Sequence, residues 1–370
     1  MKPLKIGLVI DDSLDKTDGV QQYVLAIGEW YKSKGHRVHY LAGQTKRTDL
    51  ANIHSLSRNI AVRFNHNRMS IPLPASKSRI RSILKQQQFD VIHVQMPYSP
   101  WLGHRVIKAI DKKTVVVATF HIVGHSPAVL LSTKLLAVLC RSSVKRINHV
   151  LAVSTAAQDY VLESYGLNSR VVPNVVDYSR FKKAKPLIGV KDKKTIIFMG
   201  RLVPRKGCLL LLKALSILSK DGDLNKVRVL ICGKGPLESE CKSYVRQNGL
   251  IGCVQFEGYI SEQDKPGYLA SADIAVFPST GGESFGIVLI EAMSSGRSAV
   301  LGGNNVGYAS VLVDNQSQLF ELNEQTLADK LGLLLKDESE RLKMAEIGSK
   351  IARQFDINIV GQELLDIYRS

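Results

Sequence analysis

Long apolar runs are what this sequence most plainly lacks. Nowhere among its 370 residues do about 18 apolar residues follow one another, so no transmembrane helix is expected. The apolar stretch in the first ten residues is too short for a signal peptide. Asp11 and Asp12 follow where a small-residue cleavage site would stand, so a buried first strand is expected. Cysteine is sparse: the five cysteines, Cys140, Cys208, Cys232, Cys241 and Cys253, are odd in number and form no C-x-x-C pair. Neither a zinc site nor a disulfide framework is suggested, and reduced thiols in a cytoplasmic protein fit best. No G-x-G-x-x-G follows the first strand, which disfavours a dinucleotide-dependent oxidoreductase. No repeat or low-complexity tract stands out.

Acidic residues are scarce in the first half. Residues 1–182 hold 26 Lys and Arg against 11 Asp and Glu, whereas the remainder holds 24 against 22, so nearly all of the net charge of +17 sits N-terminally. That asymmetry points to an anionic partner, either nucleic acid or an anionic membrane surface. The basic residues lack interleaved aromatics and no nucleic-acid module signature is visible, so membrane is the better reading and no nucleic acid is expected.

What is present is alternation. Ile6–Ile10, Val38–Leu41, Val91–Val94, Thr114–Thr119, Val150–Val153 and Ser169–Val172 read as strands of one unit. Thr195–Met199, Val227–Ile231, Val254–Phe256, Ile274–Phe277 and Ala299–Leu301 read as strands of a second. Helical patterns lie between them, the signature of α/β units with parallel sheets covered on both faces. Tyr178–Lys194, Lys-rich with Pro186 and Gly189, is the expected linker. The expected domains are 1–182, joined by a C-terminal helix at 355–370, and 183–354.

In such sheets ligands sit at the carboxyl ends of strands. After the strand at Thr195, Gly200–Gly207 places Arg201, Arg205 and Lys206 in a glycine-bounded loop, which suits a diphosphate. Gly281-Gly282-Glu283-Ser284-Phe285-Gly286 leads into a helix beginning near Ile287, whose free N–H groups around Ser284 to Ile287 form an anion site. Glu283 stands where a carboxylate can accept bonds from sugar hydroxyls. Glu291 lies about two turns into that helix, within reach of ribose hydroxyls. Asp221-Gly222-Asp223 matches the metal-binding Asp-x-Asp by letters alone; it lies in a polar turn before a strand, so no metal site is expected.

The Glu283/Glu291 spacing with the Gly-Arg…Arg-Lys-Gly loop resembles family 4 of the retaining glycosyltransferases, which have the GT-B fold: two Rossmann-like domains with parallel sheets facing across a deep cleft. Asp18-Gly19-Val20-Gln21, Lys34–Val38, Thr119-Phe120-His121 and Pro173–Asp177 resemble further motifs in order. Gly281–Met293 is similar to bacterial phosphatidylinositol mannosyltransferases. The resemblance implies that Arg201 and Lys206 bind the donor diphosphate, Glu283 the hexose and Glu291 the ribose. It implies that His121 reaches the sugar from the other domain and that Gly19 belongs to a loop near the transferred group. Gly233 and Gly235 would border the nucleotide, Tyr259 and Ile260 would line the base, and Glu262 and Lys265 take the places that recognise guanine, favouring GDP-mannose. Ser284, Phe285, Gly286 and Ile287 complete the donor loop, with Arg205 beside them. No metal or other cofactor is required by the implied route, front-face attack with retention as the nucleotide leaves.

On the acceptor side Gln21 is retained, whereas Tyr98 replaces a polar asparagine, Ile122–His125 replaces a hydroxyl-rich segment and Asp18 replaces a second glycine. Acceptor identity therefore stays open between phosphatidylinositol and another lipid or polysaccharide acceptor, the latter with a UDP-sugar. A non-catalytic nucleotide-binding scaffold is the remaining alternative. Ser76–Gln88 reads as a basic amphipathic helix carrying Lys77, Arg79, Arg81 and Lys85, suited to anionic lipid. Arg105, Lys108, Lys112 and Lys113, then Arg141, Lys145 and Arg146, add to it. The apolar stretch Val129–Leu139 before the last cluster is too short to span a bilayer. The expectation is a cytoplasmic protein associated peripherally with the inner face of the membrane.

Overall fold

The computed structural model describes residues 2–15, 18–64, 67–97, 100–124, 126–189, 193–220, 222 and 224–370. The chain forms two compact units, Met1–Val175 with Ile357–Ser370, and Val176–Asp356.

The first unit runs β1 (Lys5–Ile10), α1 (Gly19–Ser33), β2 (Arg37–Ala42), β3 (Ile53–Ser55), β4 (Asn59–Phe64), β5 (Asn67–Pro72), α2 (Lys77–Gln87), β6 (Val91–Gln95), α3 (Gly103–Ala109), β7 (Val115–Phe120), α4 (Pro127–Val144), β8 (His149–Ala152), α5 (Thr155–Tyr165) and β9 (Arg170–Val171). Its seven-stranded sheet has the order β3-β2-β1-β6-β7-β8-β9 and is parallel throughout. The central strands are buried on both faces, which is why they read as unbroken apolar runs. The antiparallel pair β4–β5 stands apart from that sheet and had no clear sequence signal.

The second unit contains α6 (Tyr178–Lys182), β10 (Lys194–Met199), α7 (Cys208–Lys220), β11 (Val227–Cys232), α8 (Glu238–Gln247), β12 (Val254–Gly258), α9 (Lys265–Ala270), β13 (Ile274–Phe277), α10 (Ile287–Ser295), β14 (Ala299–Gly303), α11 (Val306–Val311), β15 (Leu319–Phe320), α12 (Glu324–Lys336) and α13 (Glu338–Arg353). Its sheet order, β12-β11-β10-β13-β14-β15, turns back at β10, so the loops after β10 and β13 leave neighbouring strands. That crevice is where a doubly wound sheet presents a ligand site.

Two expectations need correction. The Lys-rich stretch after Tyr178 begins as a helix of the second unit, so the boundary falls at 175/176 and not at 182/183. Phe181 of α6 is buried, and Lys182 Nζ lies against Gly296 at the C-terminus of α10, where a cation is favoured. The apolar stretch placed at Val129–Leu139 belongs to the 18-residue α4, with a mean hydropathy of 1.4. Among the described residues it is the one helix long and apolar enough to cross a membrane, by length and composition.

The C-terminal helix α14 (Ile357–Arg369) returns to the first unit, burying Val360, Leu364, Leu365 and Tyr368 with Tyr23, Val24, Ile27 and Tyr31. A buried polar chain fixes it. Tyr368 OH is 2.6 Å from His93 Nδ1 and 3.0 Å from Tyr31 OH, and His93 Nε2 is 2.6 Å from Thr119 Oγ1. Tyr368→Phe would leave two buried groups unsatisfied and should lower unfolding stability by about 1–3 kcal/mol, read from the denaturant midpoint.

Candidate functional site

The loop between β10 and α7 is shaped by backbone contacts that tolerate no side chain. Gly207 has φ 71°, and a Cβ there would lie 1.9 Å from the Pro278 carbonyl oxygen. Only glycine allows the Arg201–Lys206 loop to press against the end of β13. Gly233 and Gly235 serve the same loop from β11: added Cβ atoms would meet the carbonyl oxygens of Gly200 at 1.9 Å and Leu202 at 2.3 Å. Leu202 N donates to Lys234 O and Leu237 N to Leu202 O, both at 3.0 Å. These glycines thus hold one strand-end loop onto the next.

At the centre of the crevice stands Glu283. Its Oε1 accepts from Lys206 Nζ at 2.6 Å, Arg205 Nη1 at 2.9 Å and Ser279 Oγ at 2.7 Å. Burial opposes its charge, but Lys206, Arg205 and the hydrogen bonds outweigh burial and hold the carboxyl below its ordinary range. The group is therefore an ionised carboxylate in a nearly dry position. Gly307 packs on its backbone, where a Cβ would lie 2.3 Å from Glu283 O, and Asn305 Nδ2 ties α11 to Ser279 O at 3.0 Å. Ser279 went unremarked in the sequence although it follows β13, the position the strand-end rule singles out.

A second charged cluster lies one helix away. Lys265 Nζ is 2.9 Å from Glu291 Oε1 and 2.7 Å from Glu262 Oε2. Burial and the helix N-terminus both disfavour an ammonium at Lys265, yet the two carboxylates raise its affinity for the proton. Glu291 is pushed the other way: burial raises its carboxyl above the ordinary range although Lys265 opposes the rise. α10 starts at Ile287 with Gly286 as its N-cap, so Glu291 lies little more than one turn in, less than the two turns expected. Arg180, on the α6 stretch read as linker, donates to the Glu262 carbonyl and so borders this cluster.

Of the other donor-side candidates, Arg201, Ser284 and Ile287 are half-buried at the loop and the helix start. Phe285 is buried edge-to-face on Phe355, with ring centroids 5.4 Å apart, and so anchors the loop from within. Tyr259 is 57% exposed and Ile260 half-buried.

In the first unit His121 follows β7 and is buried, with Nε2 2.8 Å from Gln95 Oε1 and its ring edge-on to Tyr23. Burial lowers its pKa to about 3, outweighing a bond with Asn174, so the imidazole is neutral at physiological pH. Gln95, at the end of β6, was not singled out in the sequence. Gln21 is buried with its amide donating to Ser13 O at 3.3 Å, and Gly19 opens α1 in an exposed position. Tyr98 lies outside the described residues, as do His125, Asp221 and Asp223. Lys77, Arg79, Arg81 and Lys85 are all exposed on α2.

Lys265→Met would strand the buried Glu291 carboxylate and should cost about 3–5 kcal/mol of stability at neutral pH. Glu291 would then hold its proton still more tightly in the folded state. The deficit relative to the unsubstituted protein should shrink as pH falls through the carboxyl range, which thermal unfolding against pH would read.

Comparison with known proteins agrees over the whole chain. Residues 17–180 match the family described as Glycosyltransferase Family 4, and residues 179–351 match Glycosyl transferases group 1. A phosphatidyl-myo-inositol mannosyltransferase of Mycobacterium leprae is 30% identical over 373 residues, covering 99% of this chain and 97% of the relative. Its namesake in Mycobacterium tuberculosis is 29% identical over 378 residues, covering 99% of this chain and 97% of the relative. A glycosyltransferase structure from Rickettsia africae superposes with a TM-score of 0.77 at 18% identity, covering 100% of this chain and 98% of the other, which makes the fold GT-B. The chain belongs to the family 4 glycosyltransferases and is a hexose-transferring enzyme of that family.

Proposed function

We propose that the enzyme transfers mannose from GDP-mannose, with retention of anomeric configuration, to a membrane lipid acceptor of the phosphatidylinositol kind. The observation that carries the donor half is the nearly dry, ionised Glu283 beside two cations at the end of β13. On this reading the incoming diphosphate draws Lys206 towards itself together with Arg201, while Glu283 turns its freed lone pairs to the hexose hydroxyls. The N-terminus of α10, at Ser284–Ile287, faces the growing negative charge, so leaving-group stabilisation needs no metal. Glu291 takes the ribose, and the neutral His121 donates or accepts a hydrogen bond on the acceptor side. Front-face attack by the acceptor hydroxyl completes the transfer.

The lipid acceptor is supported by the names of the mycobacterial relatives and by the basic first unit. Peripheral attachment at the cytoplasmic membrane face follows, with α2 as one contact. The engagement of Glu262 by Lys265 favours a second reading, in which Glu262 does not read guanine and a UDP-sugar is the donor.

Thermal stabilisation by GDP- and UDP-sugars, together with donor hydrolysis with and without anionic vesicles, tests these readings. GDP-mannose should stabilise most; a larger shift with UDP-sugars would establish the second reading, and no shift with any sugar nucleotide would remove the enzymatic role of this crevice. Glu283→Gln should lower turnover about 100-fold or more with the fold retained, and undiminished transfer would displace Glu283 from the sugar.

A further inference from the structure

Helix α4 is built inside out. The residues it turns to the protein are small and partly polar: Thr133, Cys140 and Ser143 are its buried positions. Thr133 Oγ1 lies 2.7 Å from Tyr160 OH, and Ser143 Oγ lies 2.8 Å from His104 Nδ1. The residues it turns outward are Leu131, Leu135, Val138 and Leu139, exposed by 71, 63, 69 and 57%. Spacings of four, three and one put these four side chains on a single helical face. A surface helix of a water-soluble domain has the opposite arrangement, and a contiguous exposed apolar stripe marks a surface that meets something apolar.

Charge says what that is. Helices α2, α3 and α4 pack side by side, α2 on α3 and α3 on α4. Together they carry eight Lys and Arg and no Asp or Glu. Lys77, Arg79, Arg81, Lys85, Lys108, Lys134 and Arg141 are exposed. Arg146, by contrast, donates to the carbonyls of Lys108 and Ile110 and fixes the end of α4 to α3. On the α2–α3 side the stripe is bordered by cations alone, whereas α5 on the other side brings the exposed Asp159 and Glu163. The cationic side complements an anionic bilayer, whose headgroups meet the cations while its acyl chains receive the leucines. α4 also remains packed on α5 as well as α3, so it lies along the surface and does not cross the membrane.

We propose that the outer face of α4 is a docking surface for an anionic phospholipid bilayer, with Leu131, Leu135, Val138 and Leu139 entering the acyl boundary and the cations of α2–α4 gripping the headgroups. The proposal rests on the lipid-acceptor reading for its purpose, and it would bring the first unit to the surface where such an acceptor resides.

The full chain serves for the test, in a Cys253→Ser background because the other four cysteines are buried. Leu135→Cys carries an environment-sensitive fluorophore, and Leu342→Cys, exposed on α13, carries the same label as a control. With vesicles of phosphatidylglycerol and phosphatidylcholine, the label at 135 should shift to the blue and be quenched by acyl-brominated lipid, while the label at 342 should stay unchanged. Unlabelled Leu135→Glu/Val138→Glu should co-sediment with these vesicles at least about tenfold more weakly, at an unaltered melting temperature. A label at 135 that stays in water while the protein sediments would overturn the role of α4, as would absence of sedimentation. A blue shift that grows with protein concentration without vesicles would assign the stripe to a second copy of the chain and also overturn it. Donor-induced thermal stabilisation, measured without lipid, reads the crevice separately: if it persists while the label stays wet, only the docking surface falls.

Discussion

A carboxylate removed from water at the end of a parallel strand must be given cations or lose its charge, and the second unit is arranged around that requirement. Glu283 keeps its charge because Lys206 and Arg205 reach it from the adjoining strand end. That reach depends on the β10–α7 loop lying flat against Pro278, which Gly207 permits, and on the β11 loop closing behind it through Gly233 and Gly235. Ser279 and the backbone of Gly307 complete the enclosure. The loops, the glycines and the strand order at β10 and β13 thus answer to one electrostatic demand.

The same demand recurs at Lys265, with signs exchanged. Here the buried ammonium sits at a helix N-terminus, the wrong end for a cation, and two carboxylates offset both costs. The two clusters differ in consequence. Around Glu283 the cations outnumber the carboxylate, leaving positive charge over for an anionic ligand. Around Lys265 the charges balance, Glu262 and Glu291 facing Lys265 and Arg180.

The first unit solves a different problem. Its buried histidines are neutral: His93 and His121 each have a pKa lowered to about 3 by burial, and they bond to uncharged partners. Its charge is displaced outward, onto α2, α3 and α4, where the stripe of α4 interrupts it with leucine. The unit thereby keeps its cations at the surface, while its buried carboxyls, Asp11 and Asp12, accept from the backbone N–H groups of Gly103 and Ser13.

Much of this was legible in the residues. Parallel strands buried on both faces read as apolar runs, and each of the eleven strand positions read from the sequence is a strand with no end moved by more than two residues. Glu283 and Lys206 each stood out as glycine-flanked charges after strands, but their bond to each other appears only in the fold. What escaped were contacts between residues far apart in the chain and ordinary in composition: Ser279 on Glu283, Gln95 on His121, Arg180 on Glu262. The short pair β4–β5 carries little alternation, and α6 reads as a linker because Arg180, Lys182 and the lysines that follow dominate its one buried phenylalanine. The facing of α4 was hidden for a further reason. Hydropathy reports how apolar a helix is, and Thr133, Cys140 and Ser143 mark its inner side only because Tyr160 and His104 wait there. The sequence determined the strands, the loops and the charges at their ends, since these follow from local pattern; which charge meets which, and which face meets water, only tertiary packing decided, because burial is a property of neighbours.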